Sequence, residues 1–301
     1  MNDPIIHTID LKFHGRSGTI GVYLVPHSDG GILVETGPAT TTSTLVTGLN
    51  SLGYTIPDIT DVFLTHIHLD HAGAAGWWAQ QGARLHVHEL GAPHLVNPEK
   101  LLASAERLYG GLMDSLWGEL IPVQPAQVAI MHDQEVTKIG NLSVCALDVP
   151  GHASHHLVFL IGDACFSGDI AGIRLSSQQY ISLPMPPPDF HLEQWRSSLQ
   201  RIQQRHPQRI IPTHFGIYPD SDWHLQAALD YLDEVETWME ATLPGDPTQE
   251  KLLAQFTEFE LKRAVKYGVD KTVAEGQQIT NPSFMSALGV LRYWNKYRKP
   301  V

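Results

Sequence analysis

The chain has 301 residues, 43% of them apolar and 17% charged, so it can bury a sizeable core and is not globally disordered. Its 32 acidic residues outweigh 20 basic ones, for a net charge of −12 with neutral histidine, and that balance argues against broad nucleic-acid binding. Two cysteines make no disulfide framework, and no run approaches the ~18 uncharged apolar residues of a membrane helix. The anomaly is histidine, with 17 copies.

The start, MNDPIIHTID, lacks a charged segment followed by an apolar run, so a soluble cytoplasmic protein is expected. Residues 1–37 read as strands. Residues 19–25 are rich in β-formers, Asp29-Gly30-Gly31 signals a turn, and residues 32–34 resume the strand. Glu35-Thr36-Gly37-Pro38 breaks it, and residues 40–52 read as a short helix. An apolar strand at 61–64 leads to a helix at 72–81 and a strand at 84–88. Residues 98–120 read as a helical insertion, with Leu101, Leu102, Ala105, Leu108, Leu112 and Leu116 near helical spacing.

Strands resume at 128–130, 136, 142–147, 157–161 and 164–166. The run Pro184-Met185-Pro186-Pro187-Pro188 is a stiff loop, followed by a helix at 191–204 and a last strand at 209–212. Beyond it only helices are expected, at 223–242 and 247–267, the second with Thr248 near its start. Asn281 as N-cap and Pro282 at the first helical position open another, to about Tyr297. These elements suggest a layered α/β body over residues 1–221 and a helical extension over residues 222–301.

The strongest chemical signal is Thr65-His66-Ile67-His68-Leu69-Asp70-His71, just after an apolar strand. Neutral imidazole is the commonest metal ligand, and carboxylate suits the same divalent cations. Three further candidates each sit just past a predicted strand: His152 in Pro150-Gly151-His152, Asp169 in Ser167-Gly168-Asp169, and His214 in Thr213-His214. Singly, each reads as a structural or turn residue. Their order and shared placement make them converge if the strand ends lie side by side.

This ordered set resembles the metallo-β-lactamase fold superfamily, over about residues 5–220. The resemblance implies an αββα sandwich with a binuclear metal site at one edge. It implies that His66, His68 and His152 hold one divalent ion, that Asp70, His71 and His214 hold the second, and that Asp169 bridges them. Zinc is the first expectation, with iron or manganese also compatible with these ligands. The implied activity is hydrolysis of a small ester, thioester, lactone or amide by a metal-bridging hydroxide, with Asp70 taking the proton. Many relatives carry Asp-Thr-Gly where this chain has Glu35-Thr36-Gly37. Glu35 and His156 are therefore candidates to support a ligand from behind. His155 is expected to be exposed, and Cys165 to pack in the core.

Tyr109, Met113 and Trp117 of the insertion, with Tyr180 and Phe190 around the proline loop, are candidates to wall a substrate pocket. The C-terminal helices are candidates to cover the site or to form a homodimer. A winged-helix module is disfavoured, because residues 222–301 carry 12 acidic and nine basic residues and show no glycine-turned hairpin. Two other reactions stay open on the same fold: a mononuclear iron dioxygenase acting on sulfur or persulfide substrates, and a metallo-nuclease. A binding protein without turnover is a further alternative. With no secretory signal visible in the sequence, a secreted β-lactamase is not expected.

Overall fold

The computed structural model describes residues 3–175 and 178–299. Six strands form one sheet in chain order: β1 (His7–Asp10), β2 (Gly21–His27), β3 (Gly30–Val34), β4 (Ile59–Phe63), β5 (Arg84–His88) and β6 (Val128–Met131). Pairing is antiparallel as far as β3 and parallel from there. The second sheet holds β7 (Val136–Ile139), β8 (Leu142–Asp148), β9 (Leu157–Ile161), β10 (Ala164–Gly168) and β11 (Arg209–Pro212), of which only β10 and β11 pair in parallel.

Alternation along the strands separates the cores. Tyr23 and Val25 of β2 meet Phe63, Phe159 and Phe166 between the two sheets. Their neighbours Val22 and Leu24 face outward, against Leu45 and Leu49 of α1 (Thr42–Ser51) and Trp78. Trp78 belongs to α3 (Ala75–Gln80), which follows the single-turn α2 (Leu69–Ala72). The outer face of the second sheet gives Leu147, Val158, Cys165 and Ile210 to another cluster. The architecture is the expected αββα sandwich with a helical C-terminal region.

α4 (Ala92–Val96), α5 (Glu99–Tyr109) and α6 (Met113–Leu116) lie between β5 and β6. The expected helical insertion over 98–120 is formed in pieces, with a break after Tyr109 where Gly110 adopts φ 50° and ends α5. After β10 come α7 (Leu192–Gln203), α8 (Ser221–Thr242), α9 (Gln249–Lys266), α10 (Lys271–Thr280) and α11 (Ser283–Tyr293). Trp195, Leu225, Phe256 and Val290 of α7, α8, α9 and α11 pack on the second sheet. α10 had no counterpart in the sequence reading. Its Val273 and Gly276 weaken a helical pattern, and its signal is Asp270, whose side chain caps the Thr272 N–H. The last helix begins one residue later than expected, at Ser283. Asn281 does not cap it; its side-chain oxygen accepts from Ser286 and its amide N–H donates to the Leu183 carbonyl.

Candidate metal centre

Every expected ligand follows the carboxyl end of a strand at one edge of the sandwich. β4 leads to His66 and His68, and α2 carries Asp70 and His71. β8, β10 and β11 lead to His152, Asp169 and His214. Two glycines permit this approach. Gly151 has φ +139°, and a Cβ there would lie 2.4 Å from the Trp195 backbone. Gly168 has φ +52°, and a Cβ there would lie 2.5 Å from Thr65 Oγ1 and 2.7 Å from His156 Nε2.

Two groups of donors result. His68 Nδ1 lies 3.0 Å from both His66 Nε2 and His152 Nε2. In the second group, Asp70 Oδ2 lies 3.3 Å from His214 Nε2 and 3.6 Å from His71 Nε2. Asp169 stands between them. Its Oδ2 is 3.5 Å from His152 Nε2, and its Oδ1 is 3.4 Å from His71 Nε2 and 3.5 Å from His214 Nε2. Tetrahedral zinc ligands about 2.0–2.1 Å from the metal stand about 3.3 Å apart, so both groups have ligand spacing.

The ring orientations agree. His152 donates from Nδ1 to the Pro184 carbonyl at 2.8 Å, and His214 from Nδ1 to the Thr19 carbonyl at 2.8 Å. A carbonyl only accepts, so in the neutral rings both Nε2 lone pairs face the centre. Among the described residues, His71 Nε2 and Asp169 Oδ1 are buried without a hydrogen-bond partner. Buried polar atoms rarely stay unpaired, and a divalent cation between these groups would satisfy both. The donor set therefore fits metal binding.

The titration of these groups follows their charges. Burial, with His152 beside it, pushes His68 down to about 4. Burial and neighbouring histidines hold His66 well below its ordinary value. Burial also opposes a charge on His71, but Asp169, Asp70 and Glu35 raise it well above the ordinary value. Burial works to raise Asp70, yet His71 and His214 bring it down to about 2.

Glu35 stands behind the cluster, fully buried. It accepts from His71 Nδ1 at 3.1 Å and from Thr213 Oγ1 at 3.1 Å, and it also pairs with the Thr65 hydroxyl. His156 Nε2 accepts from the Asp169 backbone N–H at 3.2 Å, so it holds the loop of that carboxylate. Cys165 is buried, which pushes its thiol up.

A cavity of about 470 Å³ opens over the centre, walled by Leu101, Tyr109, Trp117, Met185 and Met285. Tyr109 and Trp117 thus lie where a pocket wall was expected. Met113 sits behind them, packed with Leu69 and Ala105. Tyr180 and Phe190 do not line the cavity. Tyr180 packs on Tyr267 and under Arg263, and Phe190 packs between Trp195 and Tyr293. Both were drawn into the core by helices whose docking no local pattern reveals. His155 is not exposed as expected. It is half-buried, lines the cavity, and its ring lies 5.8 Å from that of His68. Asn281 and Met285 are wall residues that no sequence signal marked, because they lie more than 150 residues beyond Tyr109 and Trp117 and reach the cavity only through the docking of the C-terminal helices.

Fold and donor set together define an αββα protein with a histidine- and carboxylate-rich cluster that could hold metal. The chain belongs to the metallo-beta-lactamase superfamily, whose family model matches residues 18–214. The metallo-beta-lactamase fold-containing protein ST1585 of Sulfurisphaera tokodaii is 28% identical over 160 residues, 52% of this chain and 60% of that protein. The crystal structure of ST1585, described as an archaeal metallo-beta-lactamase superfamily protein, superposes with a TM-score of 0.62 at 22% identity, over 76% of this chain and 86% of that one. A metallo-beta-lactamase family protein from Thermus thermophilus, TTHA1429, superposes with a TM-score of 0.62 at 20% identity, over 97% of this chain and 93% of that one. An atrochrysone carboxyl ACP thioesterase of Aspergillus fumigatus is 27% identical over 175 residues, 57% of this chain and 43% of that enzyme. The chain thus spans about half the length of these curated relatives. Among the described residues, no helix is long and apolar enough to cross a membrane.

Proposed function

We propose that this chain is a metal-dependent hydrolase of a small ester, thioester, lactone or amide. The observation that carries the reading is the convergence of two three-residue donor groups, with Asp169 within 3.5 Å of both, beneath an apolar-walled cavity. His66, His68 and His152 would hold one ion, Asp70, His71 and His214 the other, and Asp169 both. Divalent ions in such a site activate water near neutral pH and polarise a carbonyl oxygen.

The chain's own residues supply the rest. Asp70 keeps 23% of its side chain exposed against 5% for Asp169, so of these two carboxylates it is the more open to the cavity. Ionised at neutral pH, it accepts the proton released during attack. Burial, reinforced by the Asp70 carboxylate, keeps the Tyr109 phenol protonated. It can therefore donate to a substrate oxygen from the cavity wall. Leu101, Trp117 and Met285 exclude water and favour an apolar acyl group. Thioesters come first in the assay panel because the fungal relative is named a thioesterase.

The test is metal content per chain by elemental mass spectrometry, followed by assays on thioesters, esters, lactones and amides. The expected result is two zinc ions per chain, with hydrolysis lost on chelation and restored by zinc. One iron per chain with thiol-dependent oxygen uptake would overturn the reading in favour of the dioxygenase.

A further inference from the structure

Residues 181–185 run extended between the metal centre and the C-terminal helices, and alternate peptide groups are held from opposite sides. On the inner side, Ser182 exchanges backbone hydrogen bonds with Ile173 at 2.8 and 3.2 Å. Two residues on, the Pro184 carbonyl accepts from His152 Nδ1. On the outer side the partners are side chains. Arg263 of α9 donates to the Ile181 carbonyl. Asn281 Nδ2 donates to the Leu183 carbonyl at 3.2 Å, and the Met185 N–H donates to Ser286 Oγ of α11 at 3.1 Å. Ser286 in turn donates to Asn281 Oδ1 at 3.3 Å.

Peptide groups of an extended segment point alternately to its two sides, so these three side chains stand where a neighbouring strand would. All three are buried. α11 lies so close that a Cβ on Gly289 would fall 1.9 Å from the Met185 carbonyl oxygen.

We infer that Arg263, Asn281 and Ser286 are positioning residues for His152. They hold the 181–185 strap so that the Pro184 carbonyl keeps the proton of the His152 ring on Nδ1 and aims Nε2 at His66 and His68. The Met185 N–H belongs to the same peptide group as the Pro184 carbonyl, so its bond to Ser286 fixes that carbonyl directly, while proline itself supplies no N–H. The C-terminal helices thereby become part of the metal centre without touching it. This inference rests on the reading that His66, His68 and His152 hold a metal ion.

The test uses the full chain stripped of metal. Zinc affinity is measured by competition with a chromophoric chelator, and the His152 tautomer by proton–nitrogen correlation spectroscopy of the imidazole. Removing a group that orients a metal-bound histidine weakens binding by about 10–100-fold, so Ser286→Ala and Asn281→Ala should raise the zinc Kd by that factor and mix the His152 tautomers. Thr248→Ala deletes the side-chain cap of α9 in the same helical region without touching the strap or Arg263, and should leave both readouts unchanged. Unchanged zinc affinity and an unchanged Nδ1–H signal in folded Ser286→Ala would overturn the inference, as would an equal loss in Thr248→Ala. Should Asn281→Ala fail to fold, Ser286→Ala, which deletes one oxygen, decides. A wild-type chain that binds no zinc would sink the metal reading instead, and the tautomer measurement would still decide the strap.

Discussion

Two clusters of buried polar groups lie in this protein, and they are built differently. In the helical region, Glu260 accepts from Tyr231, and Arg263 pairs with Glu234 at 2.6 Å and with the Ile181 carbonyl. Arg263 also lies over the rings of Tyr180, Tyr231 and Tyr267. Each charge there finds its complement within the protein. At the sheet edge, histidines and aspartates turn nitrogen and oxygen atoms toward common points, and His71 Nε2 and Asp169 Oδ1 are left without a hydrogen-bond partner among the described residues. A cluster that satisfies itself serves the fold, whereas one that leaves its donors facing one another awaits a ligand.

The contrast predicts that damage to the sheet-edge cluster abolishes function, while damage to the helical cluster costs stability and reaches the metal site only through Arg263 and the strap. Asp169→Ala should lose at least one metal ion per chain, and His68→Ala should loosen metal binding. In each, hydrolysis should fall by about a thousandfold or more, as losing several kcal/mol of metal stabilisation implies. A full metal count in either variant would show that the cluster does not work as a unit. Arg263→Met removes the cation beside buried Glu260 and one of the two cations paired with Glu234, whose Lys266 partner remains, and should cost about 1–3 kcal/mol in urea unfolding. A loss below about 1 kcal/mol would place this pair with ordinary surface ion pairs.

Glu35→Gln tests the boundary between the clusters, since Glu35 is a buried acid whose partners include a ligand histidine. It should weaken zinc binding by about 10–100-fold and leave the metal count at saturation unchanged. The smallest expected effect concerns pH. Burial raises Glu260 to about 6 from 4.5, with Tyr231 and Arg263 pulling the other way. The folded state therefore keeps this proton after the unfolded chain has released it. Stability contributed by Glu260 is full below about pH 4.5 and declines as pH rises toward 6, by about 2 kcal/mol in total. Glu260→Gln should flatten that slope in urea titrations between these pH values, and an unaltered slope would assign it to other groups.

Much of the sheet-edge cluster is legible in the chain. His66, His68, Asp70 and His71 lie within six residues, so local order alone presents them together. His152, Asp169 and His214 are recognisable because each follows an apolar strand, and strand ends are where loops gather donors. The two cores of the first sheet are equally visible, since alternation along β2 assigns Val22 and Leu24 to one face and Tyr23 and Val25 to the other. The helical cluster left no such trace. Glu260 and Arg263 look like ordinary exposed-face charges of an amphipathic helix, and only docking buries them.

The same limit explains the pocket. Trp117 and Tyr109 reach the cavity through their own helical segment, whereas Tyr180 is placed by Arg263 and Tyr267, more than 80 residues later, and Phe190 by Tyr293, more than 100 residues later. Sequence by itself determined the donor set, the strand ends that carry it, the layered α/β body and the helical character of the C-terminal region, because these depend on residue type and short-range periodicity. The tertiary structure alone decided which nitrogen of each histidine faces the centre, which carboxylate stays open, and that Asn281 and Ser286 grip the strap beneath His152. Those outcomes depend on contacts between residues far apart in the chain, whose energies no local pattern encodes.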